Sequence, residues 1–252
     1  MNSISDTFNY KNVCKLAVEN DNVFSNFKRH TDYTPILEHV DYNTGLGYLN
    51  YIKKYDLDIF NKIKTELCIN DKIGNPVIYE YPDIGNISPT TLRYIKNVVD
   101  LKRLYGNFNN KKIIEIGGGY GGQCLILSKL FDIDEYTVID LDEPLALTKK
   151  YLSEHNLNIN ILSINDVPNY VKSNDIVIST YAYSEISKEI QTDYYNHIIK
   201  NCKHGYFILN FISDQFKITS LNKEEIISLF EPKVNFLKEY PNTHPNNVVM
   251  YF

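Results

Sequence analysis

The sequence predicts an α/β fold. An open, mostly parallel sheet carries helices on both faces, ends in an antiparallel strand, and follows a helical segment. Three observations predict this. From Lys112 onward, short apolar runs are separated by segments of helical period, the pattern of strands buried on both faces. Between Phe8 and Cys68, apolar residues recur three and four apart with no strand-like run, as in amphipathic helices. The last two apolar runs, KVNFLKEY and NVVMYF, are joined only by PNTHPN. That link is too short for a crossover helix, so the two strands lie antiparallel.

Composition narrows the classes. The chain has 252 residues, 43% hydrophobic and 23% charged, ordinary values for a globular protein that buries a core, and one catalytic core is expected. A net charge of -5 provides no basic field for nucleic acid or acidic lipid. The expected partner is a small molecule; homo-oligomerisation is left open. Cys14, Cys68, Cys124 and Cys202 form no CxxC pair and read as reduced, buried thiols. The first residues, MNSISDTFNYKN, lack a basic leader before an apolar stretch, and no run approaches the roughly 20 apolar residues of a membrane span. A cytoplasmic location is the expectation.

The elements follow in order. After the helical segment, Ile69 to Ile87 is punctuated by Gly74, Pro76, Pro82 and Gly85 and reads as a long loop. Residues 1–87 are thus expected to form a helical cap with an acceptor-side loop, and residues 88–252 the main domain. Ser88, Pro89 and Gly106 suit the cap, first turn and exit of a helix, which buries Leu92, Ile95, Val98 and Leu101. Strands are then read at Lys112 to Ile116, Tyr136 to Asp140, Asn160 to Ser163, Asp175 to Thr180 and Gly205 to Asn210. Helices are read at Gly122 to Phe131, Glu143 to His155, Ser187 to Asn201 and Lys223 to Phe230.

The segment IIEIGGGYGGQC places five glycines in six positions after the first strand, costly in backbone entropy unless the bare backbone is needed. Read as GxGxxG, Gly117, Gly119 and Gly122 match a dinucleotide fingerprint, with Asp140 where a ribose-binding acid belongs. That reading implies a nicotinamide-dependent oxidoreductase. Glu115 opposes it, because a carboxylate at the strand tip repels a pyrophosphate and suits a cation. Read as an acid followed by GxGxG, the same letters are similar to the first motif of S-adenosylmethionine-dependent methyltransferases. Gly117, Gly118 and Gly119 then admit the nucleoside, Glu115 meets the ammonium group, and Asp140 accepts the ribose hydroxyls. Gly121 and Gly122 also suit close packing of helix on strand.

Seven segments carry a wider resemblance: NDKIGNP, SPTTLRYIK, KKIIEIGGGYGGQC, YTVIDLDEP, DIVISTYAYSEISKEIQ, GYFILNFIS and EYPNTHPNN. In these, most of the chain after about Asn70 resembles the sugar O-methyltransferase family of class I methyltransferases. The resemblance implies a Rossmann-like, mostly parallel seven-stranded sheet with a terminal antiparallel strand. It also implies S-adenosylmethionine as donor and, as acceptor, a sugar hydroxyl, nucleotide-linked or destined for surface polysaccharide. One departure is Thr180 in STYAYSE. A non-catalytic subunit that only binds the donor is the remaining alternative.

In open α/β sheets ligands sit beyond the carboxyl ends of the strands, which selects the candidates. His244, in the terminal turn, and Glu185, after the fourth strand, are candidate bases for the acceptor hydroxyl. Tyr120 and Tyr181 are expected to face the sulfonium through their rings. Gln123 and Leu141 flank the donor, and Asp166 suits its adenine amino group. Tyr79, Arg93, Tyr183, Asn210 and Thr243 are candidate acceptor contacts, Arg93 suiting a diphosphate; Tyr94, Ser213 and Asp214 lie nearby in sequence. No histidine and carboxylate cluster has metal-ligand spacing, so no metal is expected.

Overall fold

The computed structural model describes residues 2–7, 9–230 and 234–252. Its sheet has seven strands: β3 (Lys112–Ile116), β4 (Glu135–Asp140), β5 (Asn160–Ser163), β6 (Asn174–Thr180), β7 (Cys202–Leu209), β8 (Asn235–Lys238) and β9 (Val248–Tyr251), after a separate small hairpin of β1 (Tyr79–Tyr81) and β2 (Gly85–Ile87). The spatial order is β5-β4-β3-β6-β7-β9-β8. β3 pairs parallel with both β4 and β6, whereas β9 runs antiparallel to β7 and β8. This is the Rossmann-like class I methyltransferase arrangement that the resemblance implies. The chain winds outward from β3 to β5 and returns to the other side of β3 with β6, so the strand order reverses there. That reversal opens a crevice at the carboxyl ends of β3 and β6.

Helices cover both faces, and local chemistry sets several of their starts. α6 (Pro89–Tyr105) begins where the Ser88 side chain accepts the Thr90 N–H at 3.2 Å and ends at Gly106, φ +79°. α7 (Gly122–Leu130) begins at Gly121, whose φ of +92° lies in the left-handed region that glycine adopts without steric cost. α8 (Asp142–Ser153), α9 (Lys188–His197) and α10 (Lys223–Phe230) complete the wrapping.

The helical N-terminal segment contains α1 (Tyr10–Glu19), α2 (Asp21–Phe24), α3 (Thr34–Leu37), α4 (Tyr42–Tyr55) and α5 (Leu57–Lys62). It does not stand apart. Val13, Phe27, Tyr48 and Ile52 share one continuous core with Leu92, Val98, Ile113 and Leu125. A second core on the opposite face joins Ile114, Val177, Tyr183, Phe207 and Phe230.

Four readings need correction. The expected loop from Ile69 to Ile87 contains the β1–β2 hairpin, pinned by Tyr81 stacked on Tyr42 at 4.8 Å. The helix expected through Asn201 ends at His197 and continues as a tighter turn, Ile199–Asn201. The strand expected from Gly205 to Asn210 starts at Cys202 and stops at Leu209. The reversed strand β9 is not the sheet edge: the hairpin folds β8 outside it. Glu231, Pro232 and Lys233, the last being the first residue of KVNFLKEY, lie outside the described residues.

Candidate functional site

A cavity of about 1170 Å³ opens at the carboxyl ends of β3, β4 and β6. Drug-sized pockets run roughly 300–1,000 Å³, so this one has room for two ligands side by side. Glu115, Gly117, Gly118, Gly119, Asp140 and Leu141 form its wall at β3 and β4; Tyr181, Glu185 and Asn210 come from the tips of β6 and β7; Arg93, Thr243 and His244 also line it.

The glycine loop is bare for reasons inside the protein as well as toward the cavity. A Cβ on Gly118 would meet Val138 at 2.5 Å, and one on Gly119 would meet Leu37 Cδ1 at 2.7 Å. Gly117 and Gly119 have φ of +76° and +59°, where side chains are disfavoured. Gly121 packs against Leu152 of α8 and Gly122 against Tyr94 of α6, so the close neighbours of that pair are helices and not the strand the sequence suggests.

The two acids are held differently. Asp140 accepts the N–H of Gly119 at 3.0 Å and of Leu141 at 2.8 Å. Each oxygen keeps acceptor capacity. Glu115 accepts the Tyr136 hydroxyl at 2.7 Å on Oε2, and Oε1 has no hydrogen bond among the described residues. Burial pushes Glu115 up to about 7, with Asp140 adding to the rise and Tyr136 opposing it. Burial likewise pushes Asp140 up to about 6, against its two backbone hydrogen bonds. Facing carboxylates strained toward protonation suit a ligand that is cationic and rich in hydroxyls. Thr180, at the tip of β6, adds a buried Oγ1 without a partner.

At the tips of β6 and β7, Glu185 accepts a short hydrogen bond from the Asn210 amide, and Asn210 accepts the Ser184 hydroxyl at 3.0 Å. Burial raises the Glu185 carboxyl, with Asn210 and the Arg93 charge opposing. Tyr181 has φ +68° and donates its hydroxyl to Glu239; such an uncommon conformation at a non-glycine residue is often found at functional sites. Glu239 is 3% exposed and also accepts from the Thr243 N–H at 3.0 Å, the Thr243 hydroxyl at 2.6 Å and the Asn247 amide at 2.9 Å. His244 sits in the turn thus held, its Nδ1 accepting the Asn246 N–H at 3.3 Å.

Five predicted residues lie outside the cavity. Tyr120 is fully buried behind the loop, packed edge-on against Tyr151 at 4.8 Å and under the Lys28 ammonium at 4.3 Å. Gln123 is buried on α7, where it accepts the Asn97 amide at 3.1 Å and donates to the Tyr94 carbonyl. Tyr183 is buried in the second core and donates to the Gln191 carbonyl at 3.1 Å. Tyr79 stays on the hairpin against Tyr42. Asp166 is exposed, while its neighbours Asn165 and Val167 line the cavity.

Sequence reasoning missed Tyr10, Leu37, Tyr48 and Asp41, cavity-lining residues from the N-terminal helices, and the buried Glu239. A segment 80 residues upstream of the loop gives no local signal of its approach. Among the described residues no group of three or more His, Cys, Asp or Glu is placed to hold a metal ion, and no helix is long and apolar enough to cross a membrane.

No protein-family model and no curated protein matches the chain. Solved structures do. An S-adenosylmethionine-dependent methyltransferase from Clostridium acetobutylicum is 12% identical over 62% of this chain and 88% of that one, TM-score 0.49. A methyltransferase from Pyrococcus furiosus is 16% identical over 62% and 80%, TM-score 0.46. The pyocyanin biosynthetic protein PhzM is 12% identical over 65% of this chain, TM-score 0.45, and the match spans only 56% of PhzM. At such identities and TM-scores these likenesses say nothing of a substrate.

Proposed function

We propose that the chain is an S-adenosylmethionine-dependent O-methyltransferase whose acceptor is a sugar hydroxyl. One observation carries the reading: Glu115, the bare backbone of Gly117 to Gly119, and Asp140 line one wall of a two-ligand cavity at the point where the strand order reverses. The residues fit that donor. Asp140 has lone pairs for ribose hydroxyls, Glu115 has a free oxygen for an ammonium group, and the glycines leave no side chain between them. When bound, the donor supplies a methyl group already activated by its sulfonium. The sugar acceptor is supported by the seven resembling segments and by the amide and hydroxyl lining of Asn210, Asn242 and Thr243.

The protein's own work is alignment and proton removal. Holding the acceptor oxygen in line beside the methyl contributes about 7 kcal/mol or more in well-oriented reactions. Glu185 takes the hydroxyl proton: burial raises its basicity, and Asn210 fixes its direction. His244 is the second candidate base from across the cavity. Residues 1–87 cap the cavity, Leu37 reaching Gly119 of the donor cradle, and residues 88–252 supply the rest of the donor site.

Calorimetry with S-adenosylmethionine and S-adenosylhomocysteine tests the donor; saturable binding of both is expected. Absence of binding, or tight binding of reduced nicotinamide nucleotide instead, overturns the reading. Mass spectrometry on a panel of free and nucleotide-linked sugars then tests the acceptor by the gain of one methyl group. Donor binding with no methylated sugar points to the non-catalytic alternative.

A further inference from the structure

Arg93 on α6 lines the cavity and is 4% exposed. Among the described residues its guanidinium makes one hydrogen bond, from Nη2 to the Leu37 carbonyl at 3.0 Å, and its buried Nε has no partner. No carboxylate lies within ion-pair distance of it among the described residues. Around it stand Tyr94, whose ring centre is 5.5 Å away, Tyr48 and Tyr181, and its charge is felt by the Glu38 and Glu185 carboxyls although neither forms an ion pair with it. An arginine offers five N–H donors in a planar fork, and burying that cation with no carboxylate hydrogen-bonded to the fork costs several kcal/mol. The other permanent cation of the lining, Lys11, is already paired with Asp6 at 2.8 Å.

We propose that Arg93 is the carboxylate receptor of this cavity, completed by a carboxylate on a bound ligand; the inference rests on the function proposed above. A carboxylate matches the fork in shape and carries one negative charge. A diphosphate does not fit the same place: Asp41, Glu115, Asp140, Asp142, Glu143 and Glu185 all line the cavity, and one free guanidinium does not offset a second or third charge among them. Two sources can supply the carboxylate. One is the amino-acid tail of the donor, beside the glycine loop that Leu37 touches. The other is an acidic sugar acceptor.

Titration calorimetry on the full chain and on Arg93→Gln separates them. The nucleoside probes are S-adenosylhomocysteine, which carries the amino-acid tail, and 5′-methylthioadenosine, which lacks it. Protein saturated with S-adenosylhomocysteine is then titrated with glucuronate and with UDP-glucose. If the donor supplies the carboxylate, Arg93→Gln weakens S-adenosylhomocysteine about 10- to 100-fold and leaves 5′-methylthioadenosine within about twofold. If the acceptor supplies it, both nucleosides bind unchanged and glucuronate binding is lost. The proposal is overturned if S-adenosylhomocysteine is unchanged and glucuronate either fails to bind or binds both proteins alike, or if UDP-glucose is the probe whose binding the variant loses. Failure of both nucleosides to bind the unaltered protein is a different result: it removes the proposed function, and this inference with it. Should Arg93→Gln not show a native circular dichroism spectrum, Arg93→Lys takes its place. It keeps the charge and loses the fork, with a loss of severalfold expected in the same arm.

Discussion

At the scale of single residues, the glycine loop carries the sharpest expectation. Gly119→Val forces a side chain onto a φ of +59° and drives Cβ into Leu37 Cδ1. The variant should lose about 1–3 kcal/mol of stability through backbone strain and, with it, donor binding; unchanged melting and affinity would refute the argument. For proton removal, Glu185→Gln should lower kcat by about 10²–10⁴ while donor affinity changes little, because Glu185 bonds to Asn210 and to none of Glu115, Gly119 and Asp140. A variant with full turnover shifts the base to His244. That Glu115, Gly117 and Asp140 share one cavity wall is readable in the sequence, because an acid and glycines close the first strand and a second acid closes the next. Tyr120 was misleading: it stands among the glycines, and nothing in its neighbours reveals that Lys28 and Tyr151 claim its ring from behind.

At the scale of elements, Glu239 ties the turn between β8 and β9 to the tip of β6. Its carboxylate accepts from Tyr181, Thr243 and Asn247, and a buried acceptor so surrounded tolerates no donor in its place. Glu239→Leu removes both acceptor oxygens and leaves those buried donors unpaired. The expected outcome is a loss of about 1–3 kcal/mol in thermal melts and a fall in kcat as His244 loses its position, with S-adenosylhomocysteine affinity retained. Equal melting of variant and parent would sink this account. In the sequence, Glu239 reads as part of the strand run KVNFLKEY, and nothing local marks it as a buried tie, since its partner Tyr181 is 58 residues away. The sheet strands, by contrast, were legible from apolar runs alone. The β1–β2 hairpin was hidden because three-residue strands have no period to read.

At the scale of the whole molecule, buried carboxylates set the pH dependence. Glu38 and Glu115 are pushed up to about 7 and Asp140 to about 6 by burial. Between their ordinary values near 4 and these raised ones, the folded chain binds more protons than the unfolded chain. Their contribution to the stability of the ligand-free protein therefore falls as pH rises through that window, opposed below about pH 6.5 by His39 and His155, which burial lowers to about 4, and unopposed by them above it. Lys28, buried and lowered to about 8, acts in the opposite sense on the alkaline side, where stability recovers as pH rises toward its unfolded value. Melting temperatures should decline from about pH 5 to about pH 7, less steeply in Glu115→Gln, while affinity for the cationic donor grows over the same range. A rising melting curve in that window would contradict this. The shared core also explains why the cap was only half visible: helical periods mark α1 and α4, but nothing in them shows which face meets α8 and α6. That union has a practical side. The chain contains no tryptophan, and α3 brings the half-buried Ile36 to the cavity wall beside Leu37, which rests on Gly119. An indole installed as Ile36→Trp would be the chain's single tryptophan, excited apart from the tyrosines of that wall, so its emission should shift when S-adenosylhomocysteine is added and report occupancy without a label.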